Sequence, residues 1–353
     1  MSNREAQANG LGDFSSVIDN AMESKLENHQ SLDNGFFIAK TANEWIELAK
    51  TSPKPKMLFE EFWYEGELGI LFADTNLGKS ILAVEIGNSI SRGEIIKGFA
   101  LEAKKQLVLY FDFELSYKQF ENRYSKEFEQ HYTFDDNFIR IEISPDSEIP
   151  KNQTVESFIE YSLEKSVKDT GAKILIIDNI TYLKNETEKA KDALPLMKFL
   201  KALKSKYGLS ILALAHTPKR DLSKPITRND LSGSKMLMNF CDSCFSIGES
   251  QKDKNIRYIK QIKVRQSEFK FDSENVCVCQ IHKPHNFLSF EFHSYGIERE
   301  HLKEVTEKDI EKKVAEVLEL KNQGVSNTEI AKKYGVTEGA IRKWLKKSSL
   351  ENR

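Results

Sequence analysis

The sequence predicts an α/β fold, in which helices flank a mostly parallel sheet and a small all-α unit follows. Short apolar segments alternate with helical segments from residue 69 to residue 215, which is typical of a parallel sheet covered on both faces. Strand-like segments then continue without long helices between them. We therefore expect the later strands to complete the same sheet before the helical unit begins.

The predicted elements follow one another in a regular order. A short helix spans 41–50, and the prolines at 53 and 55 end it. The expected strands of the alternating part are 69–72, 106–113, 138–143, 173–178 and 209–215, and its helices are 79–92, 116–131, 155–168 and 192–207. The expected strands of the later part are 244–248, 256–264, 276–282 and 288–292.

The composition indicates a folded protein without a membrane span. The chain has 353 residues, of which 39% are hydrophobic, and a formal net charge of −2. No apolar run reaches the length of about 18 residues that a spanning helix needs, and the first residues lack the apolar core of a signal peptide. The four cysteines all lie between residues 241 and 279. We expect a cytoplasmic location, where thiols stay reduced.

The segment from Ala73 to Ile81 has the spacing of a phosphate-binding loop. It contains Gly78-Lys79-Ser80, follows an apolar strand and leads into a helical pattern, the context that such a loop requires. Lys79 would contact the β- and γ-phosphates of ATP, and the Ser80 hydroxyl would bind Mg²⁺. The predicted ATP contacts are Ala73, Asp74, Thr75, Asn76, Leu77, Gly78, Lys79, Ser80 and Ile81.

The loop opens with Ala73, where the usual pattern has glycine. Alanine tolerates a positive φ poorly, so we expect the start of the loop to differ in shape, with consequences for nucleotide affinity or rate. A chance Gly-Lys-Ser sequence on an ordinary turn is the alternative interpretation.

An apolar strand at 173–178 ends in Asp178, well after the loop. In phosphate-loop proteins a carboxylate at this place holds Mg²⁺, so Ser80 and Asp178 are the predicted metal ligands. An ordinary buried strand that ends in an exposed Asp is the alternative. The next residue is Asn179, which is not an acid, so the base that activates water must come from elsewhere.

Glu114, at the end of another strand, is the candidate base. Here the sequence resembles the RecA-like ATPases, in particular the branch of the DnaB-type replicative helicases and the plasmid RepA helicase. In that group the catalytic glutamate follows the strand after the phosphate-loop helix, and the resemblance implies that Glu114 polarises the attacking water. The alternatives are Asp112, on the other face of the strand, and a structural Glu114 that caps the next helix.

His216 ends the strand at 209–215, and a polar segment at 219–234 follows it. RepA-like proteins have histidine at this strand end, so the resemblance implies that His216 senses the γ-phosphate. The segment is long for a connection inside a domain, and in this group such loops contact single-stranded DNA in a central channel. The residues that fit this role are Lys219, Arg220, Lys224 and Arg228, with solvated surface charge as the alternative.

Lys263 and Arg265 lie two residues apart on a strand-like segment, so they project from the same face. DnaB-type helicases carry such a Lys-x-Arg pair, which stabilises charge on the phosphoryl group in the neighbouring subunit. The resemblance therefore implies a homo-oligomer, such as a hexameric ring, or a filament, with ATP sites between subunits. A pair of exposed strand bases is the alternative.

The cysteines form two close pairs, with histidines nearby. The pairs are Cys241 with Cys244 and Cys277 with Cys279, and zinc sites do use paired cysteines. However, both pairs lie in apolar segments, where a free cysteine behaves as a small hydrophobic residue. We therefore expect cysteines of the core and no zinc.

The segment 307–348 has a helix-turn-helix pattern. Gly324 ends a first helix, Ser326 and Glu329 form a capping-box pattern, and Thr337 caps a third helix. The segment resembles the homeodomain-like and resolvase-type class, in which the third helix lies in the major groove of DNA. The bases predicted to contact DNA are Arg342, Lys343, Lys346 and Lys347. A protein-interaction module is the alternative.

These features predict three parts: a flexible segment at 1–38, a RecA-like ATPase domain at 39–297, and a linker with a helix-turn-helix domain at 298–353. The predicted function is Mg²⁺-dependent ATP hydrolysis coupled to DNA, in an oligomeric RepA-like replication helicase of a plasmid or mobile element. A non-motor, ATP-dependent DNA-binding regulator or mobile-element targeting factor is one alternative. An oligomerising ATPase of signalling or defence is another.

Overall fold

Strands and helices alternate through most of the chain in a computed structural model, which describes residues 37–183, 193–218, 220–231, 234–334 and 336–351. The strands are β1 (Met57–Phe59), β2 (Trp63–Tyr64), β3 (Leu68–Ala73), β4 (Val108–Asp112), β5 (Ser125–Lys126), β6 (Gln130–His131), β7 (Phe138–Ile141), β8 (Ile174–Asp178), β9 (Ser210–His216), β10 (Ser243–Glu249), β11 (Ile256–Lys263), β12 (Val276–His282) and β13 (Ser289–Gly296). The helices are α1 (Ala42–Thr51), α2 (Lys79–Arg92), α3 (Tyr117–Arg123), α4 (Val155–Thr170), α5 (Ala193–Tyr207), α6 (Ser234–Phe240), α7 (Glu307–Asn322), α8 (Asn327–Tyr334) and α9 (Glu338–Glu351).

A nine-stranded sheet with the order β13-β12-β11-β10-β3-β9-β8-β4-β7 is the main structural element. Neighbouring strands are parallel from β10 to β7 and antiparallel from β10 to β13. The predicted fold class, an α/β fold with a mostly parallel sheet and flanking helices, is therefore confirmed. The later strands complete the same sheet, as their lack of intervening helices predicted.

Both faces of the sheet are covered by apolar side chains. Every residue of β3, β4 and β8 is buried, as expected for parallel strands that lie between two layers of helices. Along β3, Ile70 belongs to the hydrophobic cluster on one face and Leu71 to the cluster on the other. This burial fixes the register of the strands, and the register in turn places the polar residues at their ends.

The helix predicted at 116–131 is shorter than expected. It ends at Arg123, and the small hairpin of β5 and β6 replaces its second half. Tyr124 is buried and packs against Phe134 and Phe287, with ring centroids 5.1 Å apart in each pair. Aromatic contacts with distant parts of the chain thus override the local helical pattern.

The structure divides after Pro55 into two units, and the first contains α1. Thr41 caps this helix through a reciprocal capping box with Glu44, which confirms the predicted start. The helix has no buried residue. The domain boundaries expected at residues 38 and 297 stay predictions.

Three helices close the chain and belong to the second unit. Val317, Ile330, Ala331 and Ile341 form their shared core. Ser326 and Glu329 make the expected capping box, and Thr337 accepts a hydrogen bond from the backbone N–H of Ala340. Among the described residues, no helix combines the length and the apolar character needed to cross a membrane.

Candidate functional site

The loop between β3 and α2 is shaped by two residues with positive φ. Asn76 has φ 65° and Gly78 has φ 95°. A Cβ atom on residue 78 would lie 2.7 Å from Ile281 Cδ1 and 2.9 Å from the Phe290 ring. Glycine is therefore required at residue 78 both by the backbone conformation and by the close approach of β12 and β13.

Ala73 does not distort the start of the loop. It is the last residue of β3, is 1% exposed and pairs with His216 across the sheet. Its φ is not positive, so alanine is not strained at this position, and the expected effect of Ala73 on nucleotide affinity or rate stays a prediction. The turn of the loop comes later, at Asn76 and Gly78.

The Lys79 ammonium group lies inside the loop. Its Nζ donates hydrogen bonds to the carbonyl oxygens of Ala73 at 2.9 Å and Asp74 at 3.2 Å. Burial lowers the pKa of Lys79, and the nearby carboxylates of Glu114, Asp178 and Asp74 oppose this shift. A partly desolvated cation at a helix N-terminus is suited to binding phosphate oxygens.

Asp178 is buried beside Ser80 at the end of β8. Tyr110 donates a hydrogen bond from its hydroxyl to Asp178 Oδ2 at 2.6 Å, while Oδ1 has no hydrogen-bond partner among the described residues. Burial raises the pKa of Asp178 to about 6, and the Ser80 and Tyr110 side chains oppose the shift. A carboxylate oxygen without a partner and an adjacent hydroxyl are the oxygen ligands that Mg²⁺ prefers, so these residues fit the expected metal.

Glu114, His216 and Lys79 form a chain of contacts. His216 Nδ1 lies 3.2 Å from Lys79 Nζ, and His216 Nε2 lies 3.2 Å from Glu114 Oε1. Because an ammonium group can only donate, Nδ1 accepts and Nε2 donates to the carboxylate. Asn179 Nδ2 also donates to Glu114 Oε1, at 2.6 Å. The hydrogen bond from His216 is the main cause that lowers the pKa of Glu114, and Asn179 adds to it.

These side chains line an open cleft of about 200 Å³ at the loop. Its lining includes Glu114, whereas the competing carboxylate Asp112 is 2% exposed and does not line it. Arg123 lines the cleft as well, and its Nη1 is buried without a hydrogen-bond partner among the described residues. The sequence interpretation missed Arg123, because the helix was expected to continue to residue 131 and no local pattern singled out this residue.

A larger cavity of about 390 Å³ lies between β7 and α4. Its lining is mostly apolar, with Phe111, Ile159 and Leu163 among its residues, and Glu142 as its charged side chain. A nucleotide triphosphate needs cations and backbone N–H groups. The smaller cleft at the loop is therefore the candidate nucleotide site.

Lys263 and Arg265 both contact the end of α6 and the turn after it. Lys263 Nζ donates to the carbonyl oxygens of Met238 and Cys241, and Arg265 binds Asp242 Oδ1 at 3.1 Å. Lys263 pairs with Cys244 at the beginning of β10. It therefore lies near the amino-terminal ends of the parallel strands, whereas the phosphate loop lies at their carboxyl-terminal ends. Neither base reaches the cleft of its own chain, and a role in a neighbouring subunit stays a prediction.

The segment after β9 differs from an open DNA-binding loop. The Arg220 side chain is 8% exposed, and its Nε lies 3.8 Å from Asp230 Oδ1. It therefore packs within the loop and does not project into solvent. Lys224 and Arg228 are exposed, and Lys219 lies outside the described residues. A DNA contact by Arg220 would require the loop to rearrange.

The basic residues of α9 face solvent. Arg342, Lys343 and Lys346 are exposed, and Arg342 forms an ion pair with Glu338 at 2.7 Å. Lys347 lies on the same helix, but its side chain is outside the described part of the chain. These bases are exposed on one helix, and their contact with DNA stays a prediction.

The four cysteines are buried and form no disulfide. Within the described ranges, no group of three or more His, Cys, Asp or Glu side chains is placed to hold a metal ion. Cys277 and Cys279 lie within β12 and contribute to the core.

We predict that Asp178→Asn stabilises the metal-free protein at pH 8 by about 1–3 kcal/mol. The pKa of this carboxyl is raised from 3.8 to about 6, so the folded protein binds the extra proton between those values and loses stability as pH rises through that window. Asparagine removes this cost and keeps an acceptor for Tyr110. Urea unfolding measures the gain, which should shrink as pH falls from 6 towards 4.

The matched control is the exposed Asp146→Asn, which should leave the free energy of unfolding unchanged. An equal gain at pH 5 and pH 8 would contradict a buried, titrating Asp178.

Comparison with known proteins supports a nucleotide-binding site. A family model for the AAA domain matches residues 39–221, more than half of the chain and the part that contains Lys79, Glu114, Asp178 and His216. The chain is also similar to the solved structure of a KaiC-like protein from the hyperthermophilic archaeon Pyrococcus horikoshii, with 14% sequence identity and a TM-score of 0.43, covering 65% of this chain and 90% of that one. The search of curated proteins gives no match. The chain belongs to the AAA domain family.

Proposed function

We propose that this protein is a Mg²⁺-dependent ATPase that couples its nucleotide state to DNA. The observation that carries the hydrolytic part is the contact chain from Lys79 through His216 to Glu114. It links the ammonium group of a phosphate loop to a carboxylate that can act on water. These side chains come from separate segments of the sheet, which meet at one cleft.

ATP binding would replace the present contacts of Lys79. Its ammonium group now donates to the carbonyls of Ala73 and Asp74, and phosphate oxygens carry more negative charge than these acceptors. The backbone N–H groups at the start of α2 add further donors. Ser80 and Asp178 would hold Mg²⁺, which supplies charge neutralisation at the phosphates.

Glu114 is suited to act as the general base. It lines the cleft and is ionised at neutral pH, and loss of the His216 hydrogen bond that lowers its pKa would make it a stronger base for the proton of the attacking water. His216 now donates to Glu114 through Nε2. With a γ-phosphate in the cleft, the same N–H group would have a second acceptor, and this competition would make the position of His216 depend on the nucleotide.

We propose further that the protein acts as an oligomer on DNA, as a RepA-like replication helicase of a plasmid or mobile element. Lys263 and Arg265 would serve the nucleotide of the adjacent subunit, since they lie away from the cleft of their own chain. The exposed bases of α9 support contact with DNA phosphates. ATP hydrolysis would then drive movement along single-stranded DNA.

A non-motor regulator is the second candidate. The loop after β9 contacts the C-terminal helices: Lys313 forms an ion pair with Asp221 at 3.3 Å, and Lys224 lies 3.5 Å from the carbonyl oxygen of Tyr334. This loop follows His216 directly. A nucleotide-dependent change at His216 would therefore reach the helical unit, which favours an ATP-controlled reader of duplex DNA.

We predict that Glu114→Gln lowers kcat for ATP hydrolysis by about 10²- to 10⁴-fold. Glutamine retains the shape of the side chain and its acceptor oxygen, so Mg²⁺-ATP affinity should change little. Steady-state phosphate release and a binding titration with a fluorescent ATP analogue measure the two quantities. Hydrolysis equal to that of the exposed control Glu129→Gln would remove Glu114 from the role of base.

We predict that DNA stimulates ATP hydrolysis and that this stimulation depends on α9. Replacing the exposed bases of α9 should reduce the salt dependence of DNA binding by about one counterion per lost phosphate contact. Hydrolysis without DNA should stay unchanged, because α9 lies outside the cleft. The test variant is R342A/K343A/K346A, and the charge-matched control is K97A/K104A/K126A.

The nucleic acid that stimulates hydrolysis separates the two candidate functions. Stimulation by single-stranded DNA, together with strand displacement, supports the helicase. Stimulation by duplex DNA alone supports the regulator. Equal DNA affinity of the α9 variant and its control would contradict the assignment of α9 as the DNA reader.

A further inference from the structure

The turn that carries Glu114 is built around the carboxylate of Asp112. The Oδ1 atom of Asp112 accepts hydrogen bonds from the backbone N–H groups of Glu114 at 3.1 Å and Leu115 at 2.9 Å. Asp112 itself is the last residue of β4 and is 2% exposed. The Asp112 side chain therefore holds the backbone of the turn at Glu114 and Leu115, although it is buried and does not line the cleft.

Arg140, on the neighbouring strand β7, holds this carboxylate from the other side. Its Nε donates to Asp112 Oδ2 at 2.8 Å, and its Nη2 donates to the carbonyl oxygen of Leu115 at 2.6 Å. Its Nη1 pairs with Glu142. One guanidinium group therefore binds both the strand end and the turn, with a planar geometry that lysine cannot reproduce.

The same guanidinium group also contacts the helix that begins after the turn. Its central carbon lies 4.6 Å from the centroid of the Phe120 ring, and Phe120 belongs to α3. Before the turn, the backbone is held by the Phe113 N–H, which donates to the carbonyl oxygen of Asp178 at 2.8 Å. After Phe113, Asp112 and Arg140 bind the backbone of Glu114 and Leu115, and the N–H of Ser116 donates to Gln119 Oε1.

Because the Asp112 carboxylate is buried and the Arg140 guanidinium group is mostly buried, loss of either one would destabilise the turn that carries Glu114. The Asp112 side chain has no exposed surface, and the Arg140 side chain is 16% exposed. Removal of the guanidinium group would leave the Asp112 carboxylate buried without its counter-charge, which is strongly unfavourable. The carboxylate would then move, and the backbone N–H groups of Glu114 and Leu115 would lose a fixed acceptor.

We propose that Arg140, acting through Asp112, is a positioning residue that holds Glu114 where it can act on water. The turn places Glu114 Oε1 within 2.6 Å of Asn179 Nδ2 and 3.2 Å of His216 Nε2. A shift of about 1 Å in the turn would break these contacts, and displacements of this size reduce rates by about 100-fold. This role rests on the proposed hydrolysis of ATP, and it extends the site to a residue outside the cleft.

The test compares Arg140→Ala and Arg140→Lys with Arg92→Ala in the whole chain of 353 residues. Arg92 is a matched control because it also contacts an aromatic ring, Tyr132, and a backbone carbonyl, that of Thr133, but lies at the far end of α2. For Arg140→Ala we expect kcat to fall by about 10- to 100-fold while Mg²⁺-ATP affinity stays within about threefold. Arg140→Lys should be intermediate, and Arg92→Ala should match the wild type.

Two further measurements separate positioning from loss of folding. Hydrogen exchange of the peptide that contains Glu114 and Leu115 should speed up by about tenfold or more in Arg140→Ala, with the peptide that contains Lys79 unchanged. Ethylguanidinium added to Arg140→Ala should restore part of kcat, because it replaces the missing group, and should not affect Arg92→Ala.

Unchanged exchange at Glu114 and Leu115, or equal losses of kcat and ATP affinity, would overturn the positioning role. If the wild type binds ATP without hydrolysing it, the proposed function fails. In that case the exchange result still shows whether Arg140 holds the turn.

Discussion

The parallel pairing of β3, β9, β8 and β4 is the constraint on which the site depends. Parallel strands end at the same edge of a sheet, so the phosphate loop, His216, Asp178 and Glu114 meet there although long stretches of sequence separate them. The pairing of Ala73 with His216 and of Asp112 with Asp178 sets their relative height. A shift of one residue in any strand would turn its polar end group to the opposite face.

Charge balance then decides how the cleft behaves without nucleotide. Lys79, Glu114 and Asp178 lie close enough to influence one another, and each is partly or fully removed from water. The loop carbonyls stabilise the ammonium group, His216 and Asn179 stabilise Glu114, and Asp178 has one oxygen without a partner. In the proposed function, Mg²⁺ would add positive charge at Asp178 and the phosphates of ATP would add negative charge at Lys79.

Much of this arrangement could be predicted because its residues follow local rules. Gly78 and Lys79 belong to a loop with fixed spacing, and Asp178 and His216 end apolar strands. The contacts of Tyr110 and Arg140 could not be predicted, since they depend on which strands become neighbours and on their register. The helix predicted at 116–131 was too long for a related reason. Aromatic side chains from distant segments pack against Tyr124, where the helix ends, and no local sequence pattern indicates such contacts.

A calorimetric titration of the wild type and Lys79→Ala with Mg²⁺-ATP tests the central claim most directly. The claim is that the cleft binds nucleotide through the ammonium group now held by Ala73 and Asp74. We expect one site per chain in the wild type, an affinity at least about tenfold lower in Lys79→Ala, and no change in the exposed control Lys104→Ala. No binding by the wild type, or equal affinities for all the proteins, would contradict the claim.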